Sequence, residues 1–139
     1  MKKEVIVLSL GGSVFLPDSI DVDFLLSFKK LIRKYSKKYK FAIIVGGGKF
    51  CRHYINAAKN FPRITQTELD VLGVHVTRLN AEFVRLLFKD IASKKLIKNP
   101  RQKISFKKVI LGAGWEPGHS TDWDAVLVAK ALGAKTIVN

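Results

Sequence analysis

Cysteine is nearly missing from this 139-residue chain: Cys51 stands alone. No internal disulfide can form, and a reducing cytoplasm is the expected setting. Cys51 itself reads as a small helix-face residue beside a glycine turn, because a catalytic thiol needs a partner base. Long apolar runs are missing too. None approaches the roughly 20 residues that span a bilayer, and Met1-Lys2-Lys3-Glu4 leads into a strand-length run without the pattern of a signal peptide. Histidine is sparse, and His53, His75 and His119 show no metal-ligand spacing, so no metal held by the protein is expected. Acid is scarce: 11 Asp and Glu stand against 25 Lys and Arg, for a formal charge of +14. The excess sits in 29–40, which has no acid, and in 89–108, where Asp90 is alone among the bases. Both stretches interleave apolar residues, as surface helices and their flanks do, and neither carries a nucleic-acid-binding motif. The charge therefore reads as a solvated face, or as an attraction for anionic nucleotides, in preference to a nucleic-acid surface.

What is present is a core and three glycine turns. With 47% hydrophobic residues the chain has enough apolar content for one globular domain, 1–139. Gly11-Gly12-Ser13, Gly46-Gly47-Gly48-Lys49 and Gly112-Ala113-Gly114-Trp115 each follow an apolar, β-prone run: Val5–Leu10, Phe41–Val45 and Phe106–Leu111. Glycine frees the backbone there and lets N–H groups approach an anion. Between the runs lie helical patterns. Phe24, Leu25, Phe28, Leu31, Ile32 and Tyr35 share one face behind an Asp21 N-cap. A second helix opens near Gly48 or Lys49 and ends before Pro62. A third runs from about Thr67 to Lys89, capped by Thr65 or Thr67, with Leu69, Leu72, Val76, Leu79, Phe83 and Leu86 as its apolar stripe. Residues 93–105 loop around an edge, a helix follows from about Thr121 to Leu132, and a last strand begins at Lys135. Alternating strands and helices predict a largely parallel sheet with helices on both faces. The closing residues, Lys135-Thr136-Ile137-Val138-Asn139, read as a strand cut off in progress, so a longer protein is expected.

The turns fit neither of the best-known phosphate motifs. Gly46-Gly47-Gly48-Lys49 lacks the P-loop spacing, and Gly112-x-Gly114 does not complete a dinucleotide fingerprint. Their charged neighbours strengthen them. Arg52, one turn into the helix after the second turn, could reach a phosphate at the helix start. Asp70 either complements a helix N-terminus or binds a sugar hydroxyl or base. Arg78 and Asn80 are polar groups of the same helix, open to packing roles. The densest cluster is Trp115-Glu116-Pro117-Gly118-His119-Ser120-Thr121-Asp122, which offers hydroxyls and N–H groups just before a helix. Ser120 or Thr121 is the expected N-cap, with Asp124 near the capping-box position. His119 reads as a binding or structural residue, because phosphoryl transfer depends on positioning and charge more than on a base.

Gly11-Gly12-Ser13, Gly46-Gly47-Gly48-Lys49 with Arg52, Asp70-x-x-Gly73-x-x-x-Thr77-Arg78-x-Asn80-Ala81, and Pro117-Gly118-His119-Ser120-Thr121-Asp122 stand in the order of the amino acid kinase superfamily. The chain most resembles the N-terminal portion of its archaeal-type uridylate (UMP) kinases. That resemblance implies an α/β/α sandwich with a mainly parallel sheet, in which ATP with Mg2+ phosphorylates UMP to UDP, usually in a homo-hexamer. It would make Gly12 and Ser13 the cradle of the transferred phosphoryl, with Gly11, Gly48 and Arg52 facing ATP phosphates. Gly47 and Asp70, with Trp115, Glu116, Pro117, Gly118, His119, Ser120 and Thr121, would hold UMP. Many relatives carry a lysine two residues before the first glycine pair, where this chain has Ser9, which leaves the charge-stabilising residue unidentified. Relatives also continue past the position of Asn139 into segments that hold the ATP adenosine, so the isolated chain is expected to be inactive. The alternatives are a superfamily member with a carboxylate, carbamate or isopentenyl phosphate acceptor, or a non-catalytic oxyanion-binding relative.

Overall fold

The computed structural model describes residues 2–139. Four strands form one parallel sheet: β1 (Val5–Leu10), β2 (Lys40–Val45), β3 (Val109–Gly112) and β4 (Thr136–Val138). They lie in the order β3-β2-β1-β4. Val5 to Leu10 pair in register with Lys40 to Val45, and Ile6 to Leu8 pair with Thr136 to Val138. β1 and β2 are continuous apolar runs because both of their faces are covered. Phe41, Ile43 and Val45 face one layer, made of α2 (Val22–Tyr35) and α4 (Gln66–Leu87), with Leu25, Ile32, Val84 and Phe88 in the same cluster. Ala42 and Ile44 face the other, where Ala125, Val128 and Ala129 of α5 (Thr121–Leu132) pack beside Val7 and Ile110. The result is a three-layer α/β/α sandwich, as the alternating pattern predicts.

The helix starts follow their capping chemistry. Asp21 accepts the Phe24 N–H at 2.9 Å, which opens α2. Thr65 opens α4 in a full capping box: its hydroxyl accepts the Glu68 N–H, and the Glu68 carboxylate accepts the Thr65 N–H. Ser120 caps α5 through the Trp123 N–H, and Gly133 closes that helix in the left-handed region at φ 64°. Two helices have no side-chain cap at their first residue: α1 (Gly12–Phe15) and α3 (Gly48–Ala58), both opened by glycine turns.

Three sequence expectations are corrected. The third strand begins at Val109, three residues later than Phe106: its ladder starts at the Phe41–Val109 pair, and Lys107 and Lys108 remain exposed ahead of it. Gly112 is the last residue of that ladder, so the third turn proper starts at Ala113. The apolar stripe predicted for α4 faces the core only in part. Leu69 and Val76 are buried, with Gly73, Thr77, Asn80, Ala81 and Val84 between and beyond them, whereas Leu79 is 68% exposed and Leu86 52%. Asp124 takes no part in a capping box but is buried beneath the third turn. The loop over 93–105 runs along the outer edge of β3 as expected, with Ser93 and Ile97 donating their N–H groups to Val109 and Leu111. It thereby occupies an edge that would otherwise offer unpaired backbone.

Candidate functional site

The carboxyl ends of β1 and β2 bring the first two glycine turns into backbone contact. A Cβ added at Gly12 would lie 2.2 Å from the Gly48 nitrogen, and one added at Gly48 would lie 2.6 Å from the Gly12 carbonyl carbon. Gly48 also has φ 62°, a conformation that side chains disfavour. No other residue fits either place. The uncapped first turns of α1 and α3 meet at this contact. Their leading N–H groups have no intrahelical partner, so the place presents donors and partial positive charge to an anion. Ser13 is exposed at its rim. Thr121 approaches from α5, its hydroxyl oxygen 3.3 Å from where a Gly46 Cβ would stand.

Beside this contact lies a pocket of about 430 Å³ lined by Gly47, Asp70, Gly114, Gly118, His119, Ser120 and Thr121, with Cys51, Ile55, Gly73, Val74 and Thr77 completing the wall. Six of the sequence-predicted residues therefore share one cavity: Gly47, Asp70, Gly118, His119, Ser120 and Thr121. Asp70 is half-buried and accepts a hydrogen bond from Gln66 Nε2 at 2.9 Å, which holds its carboxylate at the rim. Gly11, Gly12, Ser13 and Gly48 form the adjoining turn contact. Arg52 is exposed on α3 and does not line the pocket, and neither do Glu116 and Pro117, which are exposed in the loop. Trp115 lines a different cleft. Lys49 pairs with Asp18, whose carboxyl it holds below the usual carboxylate range. Cys51 lies in the pocket wall, and burial pushes its thiol pKa up, away from the thiolate a nucleophile needs.

Further polar residues, which the sequence reading left without a binding role, build the site. Asn80 donates from Nδ2 to the carbonyls of Gly46 at 2.9 Å and Gly47 at 3.2 Å, fixing the second turn. Thr77, one turn earlier, accepts the Gly114 N–H at 2.8 Å, while Arg78 donates to the carbonyls of Gly114 and Trp115, both at 3.3 Å. One polar strip of α4 thus grips the second and third turns together. Ser9 donates its hydroxyl to Asp122 at 2.6 Å, joining the end of β1 to the start of α5. Asp124, 1% exposed, accepts the Trp115 N–H at 3.3 Å through Oδ2. Its Oδ1 is buried without a hydrogen-bond partner, because His119 Nδ1 at 3.9 Å is out of reach. Burial raises the Asp124 pKa, opposed by the Trp115 N–H and His119. The sequence signal for this set is the run of Thr77, Arg78 and Asn80 on a helix facing two glycine turns. Their partners lie 33 to 37 residues away, so spacing could not assign them.

Among the described residues no group of three His, Cys, Asp or Glu is placed to hold a metal ion, and no helix is long and apolar enough to cross a membrane.

The amino acid kinase family profile matches residues 4–139. The uridylate kinase of Thermococcus onnurineus is 37% identical over 136 residues, covering 96% of this chain and 60% of that protein. The uridylate kinase of Thermoplasma volcanium is 37% identical over 139 residues, covering 98% and 60%. Among solved structures, the uridylate kinase of Archaeoglobus fulgidus superposes with a TM-score of 0.79 at 33% identity, covering 95% of this chain and 61% of that one. The chain spans about 60% of the length of the curated relatives it matches.

Proposed function

The chain belongs to the amino acid kinase family, and from that premise we propose that it supplies the acceptor-holding part of a uridylate kinase, in which the γ-phosphoryl of ATP passes to UMP. The observation that carries this reading is the position of the Gly12–Gly48 contact directly beside the pocket of Asp70 and the 118–121 loop. Phosphoryl transfer needs donor and acceptor oxygens held in line and charge stabilised on the moving group, with little covalent help from the protein. In this reading the N–H groups at the starts of α1 and α3, with the Ser13 hydroxyl, face the transferred phosphoryl. Asp70 accepts hydrogen bonds from the ribose hydroxyls of UMP, and Ser120, Thr121 and Gly47 bound its phosphate side. His119 closes the pocket wall as a binding residue. Mg2+ enters this reading as an ion carried on the ATP phosphates. Arg52 is kept as a phosphate-side cation, able to swing in from its exposed place on α3.

Self-association belongs to the same reading. An apolar groove of about 550 Å³ lined by Phe15, Ile20, Phe50, Tyr54, Leu79 and Phe83 stands open on the α3–α4 side, the kind of surface that a second copy covers.

Calorimetric titration of the chain with UMP tests the acceptor assignment. Saturable binding is expected, with AMP bound more weakly. Asp70→Asn should weaken UMP about tenfold, the loss of one charge-assisted hydrogen bond. Equal affinity for UMP and AMP, or an unchanged Kd in Asp70→Asn, would defeat the assignment.

A further inference from the structure

Both tryptophans of the chain, Trp115 and Trp123, line one cleft that is separate from the acceptor pocket. The cleft measures about 680 Å³, within the roughly 300–1,000 Å³ of small-molecule sites. One wall is a face of α5: Trp123, Leu127, Lys130 and Ala131 recur at helical spacing. The other wall is the turn at Pro100 and Arg101 with Trp115 and His119 of the third turn. Arg101 stacks on the Trp115 ring, its guanidinium carbon 5.0 Å from the centroid, and His119 meets the same ring edge-on at 5.9 Å. Trp123 is 51% exposed. The lining residues include two fixed cations and no carboxylate.

Aromatic faces with cations at their edges are the chemistry that holds a base and its phosphates together. Indole offers a π-face to any nucleobase. A guanidinium stacked on one ring keeps its N–H edge free for a phosphate oxygen, and a lysine adds a second point charge. The ring of Trp115 is set on a firm backbone, since its N–H is held by Asp124 and its carbonyl by Arg78. We propose that the cleft between the Pro100–Arg101 turn and α5 is a second nucleotide site, taking a nucleoside polyphosphate with its base against the tryptophans and its phosphates on Arg101 and Lys130. The site shares only His119 with the acceptor pocket, and it stands whether or not that pocket binds UMP.

Because the chain's two tryptophans both lie here, its intrinsic fluorescence reports on this cleft. The test titrates the purified chain with ATP, adenosine, tripolyphosphate and a single-stranded oligoadenylate. ATP should quench saturably, with adenosine and tripolyphosphate each weaker. Trp123→Ala should weaken ATP about tenfold, the weight of one base stack, and the Arg101→Ala/Lys130→Ala pair, which removes two phosphate contacts, by at least as much. Trp123→Phe should retain binding, and Asp70→Asn should leave the quench unchanged, which separates this site from the acceptor pocket. Circular dichroism of each variant checks that the fold is kept. The proposal is overturned if ATP does not quench, if the double variant binds ATP like the parent, or if oligoadenylate binds while ATP does not.

Discussion

Asp124 carries its negative charge into a place with one satisfied oxygen and one bare one, and burial raises its pKa. A carboxyl whose pKa is higher in the fold than in the unfolded chain contributes stability below its unfolded value, near pH 4, and that contribution is lost as pH rises through the folded value. Asp124 therefore lowers the melting temperature as pH climbs above the ordinary carboxylate range, against the opposite contributions of Asp18, Glu68, Glu82 and Asp90, whose pKa values are lowered. Asp124→Asn keeps an oxygen for the Trp115 N–H and removes the buried charge. Its Tm should fall less, or rise more, over the same pH interval. Parallel melting curves for the two proteins would show that Asp124 pays no such penalty. Individual residues were unevenly legible in the sequence. Gly47, Gly48, Gly118 and Thr121 stood out because a glycine or hydroxyl after a strand has a backbone meaning of its own. Asp124 did not, because its partner Trp115 precedes the helix that Asp124 sits on, and an acid near a helix start has a simpler reading as a cap.

At the scale of elements, α4 holds the site together. Its Asn80 satisfies two carbonyls of the second turn, and Thr77 and Arg78 hold the third. Asn80→Ala leaves the buried Gly46 carbonyl without its donor and the Gly47 carbonyl with only the Cys51 N–H at 3.4 Å, and should cost about 1–3 kcal/mol. The same change should weaken UMP, because Gly47 then loses its anchor. Denaturant melts and a UMP titration measure the two effects, and a variant as stable as the parent would remove Asn80 from this role. The existence and order of α2 to α5, and the caps of α2, α4 and α5, were readable, while the short α1 was not: Asp21 and Thr65 have local chemistry, and their partners Phe24 and Glu68 lie three residues on. The orientation of α4 was not. Periodicity finds one stripe, Leu69, Leu72, Val76, Leu79, Phe83 and Leu86, and sets all of it inward, whereas Leu69 and Val76 are buried and Leu79 and Leu86 are exposed. Here the inward face instead meets two glycine turns, which admit small or hydrogen-bonding residues, so Gly73, Thr77, Asn80 and Ala81 take the buried positions.

For the molecule as a whole, the exposed part of that stripe has a consequence on the outside. Leu79 stands exposed in an apolar groove with Phe50, Tyr54 and Phe83. Leu79→Glu should shift sedimentation toward a smaller species, while changing the stability of the single chain by no more than about 0.5 kcal/mol, as surface substitutions do. An unchanged sedimentation profile would mean that this groove is not where copies meet. The sheet order was only partly legible: alternation implies parallel strands, but nothing local states that the last strand returns to the first. That return has a temporal meaning. β1 leaves the ribosome before the other three strands of this sheet, yet its second neighbour is β4, more than a hundred residues behind it. During synthesis β1 can zip only to β2, and its other edge stays open until residues 136–138 emerge. Pairings between distant segments form slowly, so the nascent chain passes through an interval in which a finished helix layer shields one face of an unfinished sheet. In that interval the open edge of β1 is the place where a holdase would grip and where a wrong strand could add.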